Sequence, residues 1–191
     1  ALHGVYPPGS TFKPFMALAG LELKLRTPGY TINDPGYFQL PNSNSQYRDW
    51  KAGGHGKVDV HKSLVVSCDT YYYELANELG IDNISSFIGK FGLGKKTGID
   101  IPGEASGLLP SREWKMNRHK QKWWPGDTIS VGIGQGYNLA TPLQLAFATS
   151  IIANKGTAFR PHLVKRIQSS KSGEIFEKTP QILYQLNLNP K

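Results

Sequence analysis

The apolar residues near the start of the chain follow the spacing of a helix that is buried on every side. Within residues 12–25 the apolar positions occupy nearly all faces of a helix; they are Phe12, Phe15, Met16, Leu18, Ala19, Leu21, Leu23 and Leu25. A surface helix would leave one face polar, so this pattern is typical of a core element. It therefore predicts a central helix close to the N-terminus.

Three further helices are predicted from the same periodicity and from their end signals. Residues 58–66 and 70–79 form two short helical patterns, and Gly80 closes the second. A third pattern begins after Thr141, which is followed by a proline, and ends near Asn154. A threonine cap with proline at the first helical position is a strong start signal, so we expect this helix to form part of the core.

A short β region is predicted after the last of these helices. Residues 163–167 have the composition of a strand, and a polar turn at 169–173 separates them from a second strand at Ile175 and Phe176. After Pro180 the pattern weakens. Helices with a few antiparallel strands indicate an α+β fold, and no linker divides the chain into two domains.

The first candidate chemistry is a serine three residues before a lysine, at the start of the first predicted helix. Ser10 follows a Pro-Pro-Gly sequence, and Lys13 comes one helical turn later. A helix places positions i and i+3 on one face, so the pair can share a hydrogen bond as a nucleophile and its base. We expect Ser10 at a buried helix N-terminus. The alternative is that Ser10 is only a cap and Lys13 a solvated side chain.

A second serine and a carboxylate lie 57 positions further along, between two predicted helices. Ser67 and Asp69 flank Cys68, the one cysteine of the chain. Taken alone, Asp69 is equally well explained as the cap of the helix that follows. Together with Ser10 and Lys13, the pair fits a serine acyl-transfer site.

These motifs resemble those of the penicillin-recognising serine enzymes, which begin with Ser-x-x-Lys and Ser-x-Asn or Ser-x-Asp. Longer segments narrow the resemblance to the penicillin-binding protein 2 family, the class B transpeptidases of the bacterial elongation machinery. They cover roughly residues 4–162 and are YPPGSTFKP (6–14), YRDWK (47–51), SCDTYYY (67–73), FGLG and TGID (91–94 and 97–100), and the stretch from GDT to GIGQGY (126–137).

The resemblance implies a fold of the penicillin-binding-protein and serine β-lactamase type. A mostly helical subdomain would carry Ser10 and Ser67 beside an antiparallel sheet that this chain supplies only in part. Residues 1–191 would then be part of one transpeptidase domain, without the N-terminal anchor and the C-terminal strands of the family. We expect a second chain or segment to supply the remainder.

The implied activity is that of a D,D-transpeptidase, which cross-links peptidoglycan stem peptides during cell elongation and is acylated by β-lactams. Ser10 would be the nucleophile, Lys13 would take its proton as a neutral amine, and Ser67 would relay a proton to the leaving amine. Asp69 would orient Ser67 and Lys13, and the Ser10 N–H would stabilise the oxyanion. Asp69 replaces an asparagine of many relatives, and its charge could instead keep Lys13 protonated. The identity of the base therefore stays open.

The third motif of these enzymes, Lys-Thr-Gly or Lys-Ser-Gly, is spelled once, by Lys96, Thr97 and Gly98. The true motif lies on a strand that lines the active site, after the long C-terminal helix. Here the triplet falls in a glycine-rich connection, residues 92–107. We therefore interpret it as a coincidence and expect the true motif to be missing from this chain.

A net charge of +8 suggests an anionic partner or surface. The densest basic and aromatic stretch contains Arg112, Trp114, Lys115, Arg118, Lys120, Lys122, Trp123 and Trp124. It could be a solvated loop whose tryptophans pack on the domain, or it could contact sugars or phospholipid headgroups. Nucleic acid is not expected, because no nucleic-acid-binding motif accompanies the stretch.

A structural zinc site is predicted from a thiol, an imidazole and two carboxylates within 35 residues. The candidate ligands are Asp34, Asp49, His55 and Cys68, with Asp59 or His61 as substitutes for Asp34. Four such ligands suit closed tetrahedral zinc, which would tie the loop after the first helix to the helices around Ser67. The alternative is a buried cysteine that only fills space.

The remaining expectations come from the resemblance. It implies the periplasmic face of the bacterial inner membrane, with an anchor outside this chain, and no organic cofactor. Partners would be stem peptides, β-lactams, and the glycosyltransferase and scaffold proteins of the elongation machinery. The main alternative is a β-lactam-sensing or binding domain that is acylated without turnover. A serine β-lactamase needs a deacylating base, and no glutamate lies near either motif.

Overall fold

The computed structural model describes residues 1–189. Helix α1 (Lys13–Glu22) follows a 3₁₀ turn at Gly9–Phe12 and is buried over most of its surface, which confirms the predicted central helix. It is shorter than predicted. Lys24 adopts a left-handed φ of 60°, and the amides of Leu25 and Arg26 both return to the carbonyl of Gly20, so the chain reverses direction before Leu25.

Helix α2 (Val60–Val65) is capped by the Asp59 side chain and leads directly to α3 (Asp69–Ile88). Helix α3 packs against α1 and is the longest element of the fold. The predicted helix 70–79 ends at Gly80, as expected, and a second helical segment follows it within α3. Gly80 takes a non-helical backbone (φ 71°, ψ 158°) that only glycine adopts at low cost, and the helix resumes because Ile81, Ile84 and Ile88 continue the buried face.

Three more helices complete the helical part: α4 (Arg112–His119), α5 (Pro125–Gly132) and α6 (Pro142–Ala153). Helix α5 lies so close to α3 that a Cβ at Gly132 would collide with Ala76. Helix α6 begins with a reciprocal capping box between Thr141 and Gln144, as the threonine-proline signal predicts.

Eight short strands form four antiparallel pairs in the described residues. Strand β1 (Ile32–Asp34) pairs with β4 (Gly56–Val58), and β2 (Tyr37–Gln39) pairs with β3 (Gln46–Arg48). Further along, β5 (Thr157–Phe159) pairs with β8 (Ile182–Gln185), and β6 (Arg166–Gln168) pairs with β7 (Ile175–Glu177). The architecture is therefore α+β with an incomplete sheet, as predicted.

The predicted C-terminal hairpin corresponds to β6 and β7, although β6 begins only at Arg166. The predicted strand residue Leu163 is not part of a strand. Its amide binds the carboxylate of Asp100, which also binds the Lys178 ammonium. Strand β8 was not predicted. Its partly buried residues Leu183 and Tyr184 pack on the core, a contact that a sequence pattern after Pro180 does not reveal.

The triplet Lys96-Thr97-Gly98 lies in a loop, as predicted, and not on a strand. The amides of Thr97 and Gly98 donate to the two carboxylate oxygens of Glu104 at 2.6 and 3.0 Å. Its backbone is therefore already bonded to a side chain of the same loop. Among residues 1–189, no helix has both the length and the apolar character that a membrane span requires.

Candidate active site and metal-ligand cluster

Ser10 lies in the 3₁₀ turn that precedes α1, and its side chain is exposed. The expectation of a buried serine is wrong, because this turn places Ser10 at the surface, just before the buried helix α1 begins. The turn is fixed by the Gly9 amide, which donates to the carbonyl of Gly134 at 2.9 Å. A Cβ at Gly134 would collide with the Gly9 carbonyl oxygen, so only glycine allows this close approach.

Lys13 is the first residue of α1 and is 1% exposed. Its Nζ donates to the Ser67 carbonyl at 2.8 Å, to Ser67 Oγ at 3.0 Å and to Asp69 Oδ1 at 2.6 Å. These three acceptors use all three donors of an ammonium group. The solvated lysine of the alternative interpretation is therefore excluded.

Ser67 connects the lysine with the first serine. Its Oγ accepts from Lys13 and donates to Ser10 Oγ at 2.9 Å. In the described residues Ser10 and Lys13 share no direct hydrogen bond, so the direct pairing expected from their spacing is replaced by a path through Ser67. The backbone of Ser67 has φ 52°, an uncommon value for serine, and the Lys13 bond to its carbonyl holds it there.

Asp69 begins α3, and a second carboxylate bonds the backbone at the same helix end. Asp49 Oδ2 accepts from the amide of Asp69 at 2.7 Å and from the amide of Thr70 at 3.1 Å. Asp69 is thus free to use its own carboxylate on Lys13, while Asp49 satisfies the first two amides of the helix. The simple capping explanation of Asp69 is therefore wrong.

Four potential metal ligands converge beside this helix end. They are Asp34 at the end of β1, Asp49 after β3, His55 before β4 and Cys68 just before α3, and their ligand atoms all lie within 4.8 Å of one another. His55 Nδ1 is 2.8 Å from Asp34 Oδ2, and Cys68 Sγ is 3.4 Å from the same oxygen. Asp59 is used as the α2 cap and His61 is exposed, so neither substitutes for Asp34.

The electrostatics of the cluster favour ionised Asp34 and a neutral thiol. Burial by itself would raise the pKa of Asp34, but the Thr70 hydroxyl, the Gly36 amide and His55 outweigh it and lower the pKa to about 2. Burial, together with the charges of Asp34 and Asp49, raises the pKa of Cys68 well above the usual thiol value. His55 Nε2 is buried without a hydrogen-bond partner among the described residues.

The donor set fits a zinc ion. Ligands about 2.0–2.3 Å from a tetrahedral zinc lie roughly 3.3–3.8 Å apart, so the four atoms need only small movements. A cation at this position would also favour the thiolate of Cys68.

The sequence as a whole matches the family model described as the penicillin binding protein transpeptidase domain, over residues 1–191. The chain belongs to this family. Among curated relatives, the peptidoglycan D,D-transpeptidase MrdA of Acinetobacter baumannii is 52% identical over 90% of this chain and 25% of its own length. MrdA of Escherichia coli K12 is 51% identical over 86% of this chain and 26% of its own length. The chain thus spans about a quarter of these relatives.

Solved structures agree in fold. The crystal structure of Pseudomonas aeruginosa PBP2 in complex with WCK 5153 has a TM-score of 0.87 and 46% identity, and it covers 98% of this chain and 41% of that one. The complex of PBP2 and MreC from Helicobacter pylori has a TM-score of 0.81 and 34% identity, over 92% of this chain and 32% of that one. The family fold is therefore shown by both sequence and structure.

Three residues of this penicillin-binding-protein site make contacts that the sequence does not reveal. Asp49 has a second role as a helix cap, Gly134 supports the turn of Ser10, and Trp50 donates its indole N–H to the Val66 carbonyl at 3.0 Å, immediately before Ser67. Trp50 is 65% exposed, so it forms part of the rim of the site. Each contact joins positions far apart in the chain, which local spacing cannot reveal.

Proposed function

We propose that this chain carries the acylation centre of a peptidoglycan D,D-transpeptidase. The observation that supports it best is the continuous hydrogen-bonded path from exposed Ser10 through Ser67 to buried Lys13 and Asp69. Relatives that are half identical bear the name peptidoglycan D,D-transpeptidase. The remaining parts of the transpeptidase domain, including the third motif, would lie outside residues 1–191.

In the proposed reaction, Ser10 Oγ attacks the carbonyl carbon of the penultimate D-alanine of a stem peptide. The Ser10 proton moves to Ser67, whose own proton moves to Lys13, and the path then delivers a proton to the leaving D-alanine amine. An amine of a neighbouring stem peptide attacks the ester and forms the cross-link. The Ser10 backbone N–H is assigned as one donor to the oxyanion.

The proposed role of Asp69 is to orient Lys13 and to stabilise its charged form after proton transfer. The carboxylate lies 2.6 Å from Nζ, and the three hydrogen bonds of Nζ use all the donors of an ammonium group. The acylation step therefore requires a proton to leave Lys13 first.

We also propose that Asp34, Asp49, His55 and Cys68 hold a structural zinc ion. The ion would cross-link the loop segments that carry β1 to β4 with the start of α3. Asp49 links the two sites, because one of its oxygens faces His55 and the other binds the amides of Asp69 and Thr70. The ligand set would in this way support the position of the second motif without taking part in the chemistry.

The names of the similar structures support a proposal for the location and the protein partners. One neighbouring structure is a complex of PBP2 with MreC, and another concerns a peptidoglycan synthase complex that coordinates polymerization and crosslinking. We therefore propose that the complete protein works at the periplasmic face of the inner membrane with a glycosyltransferase and scaffold proteins. β-Lactams would acylate the same serine.

The direct test is covalent labelling of the complete protein with a fluorescent penicillin. We expect one label per molecule in the wild type and none in Ser10→Ala, with unchanged melting temperature because Ser10 is exposed. Ser130→Ala is a matched control, since within residues 1–189 the Ser130 hydroxyl bonds only the Gly126 carbonyl, and it should label normally. Label on Ser10→Ala would contradict the assignment. Labelling without cross-linked product from stem-peptide donors would favour the β-lactam-binding alternative.

A further inference from the structure

Trp50 is the most exposed of the four tryptophans, at 65%, and its ring is nevertheless held at two points. The ring contacts that of His55, with the two centroids 5.3 Å apart, and its Nε1 donates to the Val66 carbonyl at 3.0 Å. His55 is itself fixed, because its backbone amide and its Nδ1 lie 2.9 and 2.8 Å from Asp34 Oδ2. The indole N–H is therefore aimed at one backbone carbonyl.

The Val66 carbonyl belongs to the peptide group that leads into Ser67. Ser67 has φ 52°, a left-handed value that a residue other than glycine keeps only where neighbouring contacts hold it. The N–H of the same peptide group makes a long bond of 3.3 Å to the Leu64 carbonyl. In the part of the chain that the structure describes, Trp50 is the one side chain that bonds this peptide group. The orientation of Ser67 therefore depends on Trp50.

The residue before Trp50 holds the other end of the second motif. Asp49 Oδ2 accepts from the amides of Asp69 and Thr70 at 2.7 and 3.1 Å. Two residues that are adjacent in the chain thus bond the backbone on both sides of Ser67, Trp50 at the carbonyl before it and Asp49 at the amides that follow. This arrangement fixes the motif as a unit and not only the helix that follows it.

The indole N–H could simply cap α2, since the last carbonyls of a helix have no partner within the helix. A cap would contribute to stability alone. The geometry of Ser67 favours a further role, because its Oγ accepts from Lys13 at 3.0 Å and donates to Ser10 at 2.9 Å at the same time. A rotation of the peptide group before Ser67 would lengthen one of these two bonds and interrupt the path to Ser10.

We propose that Trp50 is a positioning residue of the acylation centre, whose indole N–H keeps Ser67 Oγ within hydrogen-bond distance of both Ser10 and Lys13. The proposal rests on the proposed transpeptidase function, because Ser67 relays the proton in that reaction. Trp50 acts through the backbone and exchanges no proton itself. A misplacement of about 1 Å can slow a reaction about a hundredfold, so the loss of this bond should appear in the acylation rate and not in penicillin binding.

The test uses the complete protein and separates the indole N–H from the ring. Benzothienylalanine at position 50 keeps the ring shape and the His55 contact but has sulfur in place of the N–H. The dependence of acylation on penicillin concentration gives the maximal rate and the Kd of the noncovalent complex. We expect this variant and Trp50→Phe to lower the maximal rate about tenfold and to change the Kd less than about twofold. The matched control Trp124→Phe alters a half-exposed tryptophan whose ring contacts Lys122, and it should leave both values unchanged.

Hydrogen–deuterium exchange separates this proposal from the proposed function. The segment 64–69 should exchange faster in the benzothienylalanine variant than in the wild type, and unchanged exchange would overturn the positioning role whether or not the protein is acylated. A raised Kd with an unchanged maximal rate would mean that Trp50 contacts the ligand instead. A lower melting temperature with normal acylation would mean that it only caps α2. Both results would overturn the proposal, whereas a wild type that is not acylated would overturn the function itself.

Discussion

Helix α3 binds two buried cations from the N-terminal segment, and only one of them lies in a place where it can do chemistry. Lys13 is 1% exposed and pairs with Asp69 at the start of the helix, whereas Arg26 is 3% exposed and pairs with Glu74 and Glu78 further along it. Both are buried positive charges satisfied by carboxylates. Burial and ion pairing alone therefore do not identify a catalytic group.

The difference lies in what else each cation touches. Lys13 bonds a hydroxyl that leads to the exposed Ser10, and an ammonium can give up its proton. Arg26 is stacked on Tyr30 at 4.3 Å and its guanidinium stays charged, so it ties the loop after α1 to α3. A buried cation becomes chemically useful when it can exchange a proton and when a hydrogen-bonded path connects it with solvent.

Replacing Lys13 by another type of cation should have the largest effect of the variants considered. Lys13→Arg keeps the charge beside Asp69 but removes a group that can act as a neutral base, so we expect the rate of penicillin acylation to fall about a thousandfold. Stopped-flow or gel measurements of labelling would give the rate. The matched exchange Arg26→Lys should label normally. Comparable losses in both variants would mean that the two cations do not differ in role.

Removing the structural cation should reduce stability and not the chemistry. Arg26→Ala leaves two carboxylates beside a buried space, and we expect a loss of about 3 kcal/mol in the free energy of unfolding. The exposed Arg112, paired with Asp82, is the control, and Arg112→Ala should cost about 0.5 kcal/mol or less. Thermal melting of the complete protein measures both. A similar loss in the two variants would contradict the importance of burial.

The melting temperature of Arg26→Ala should depend more steeply on pH than that of the wild type. Burial raises the pKa of Glu74, and the charge of Arg26 partly opposes this. A carboxyl with a raised folded-state pKa binds its proton more tightly in the folded state, so its contribution to stability is lost as pH rises above its unfolded pKa of about 4.5. Without Arg26 the opposing charge is gone, and the melting temperature should fall more with increasing pH than in the wild type.

The substitution Asp49→Asn should have the smallest effect of these variants. It tests whether the ligand cluster supports the start of α3. Asp49→Asn weakens both the cluster and the cap on the Asp69 and Thr70 amides, so we expect loss of bound zinc and about a 10-fold to 100-fold slower acylation. Asp59→Asn alters a cap outside the cluster and should keep both. Metal analysis with the labelling assay measures them. A wild-type protein without stoichiometric zinc would rule out the metal, and unchanged labelling in Asp49→Asn would rule out the support.

Sequence reasoning reached the members of the site more reliably than their contacts. Ser10, Lys13, Ser67 and Asp69 were found because two motifs have fixed local spacing, and the four potential metal ligands were found from their chemistry. The link from Ser10 to Lys13 through Ser67 was missed, because it depends on how α1 and α3 pack and not on a helical repeat.

The fold shows the same division. The predicted helix after Thr141 forms because its cap and its first proline are local signals. Strands of three residues such as β1 and β4 have too few positions for a periodic pattern, and β8 depends on contacts with β5 and the core. Gly80 ends the predicted helix 70–79, but the helical segment beyond it was not predicted, because its buried face depends on packing against the core.

The contact between Gly9 and Gly134 restricts how the sequence around the proposed acylation centre can diversify. Any side chain at position 134 would push against the backbone that carries Ser10, so substitutions at that position are not tolerated. Gln135, the next residue, is exposed and points its amide toward Gly9. Sequence change on this side of Ser10 should therefore accumulate at position 135 while position 134 stays invariant.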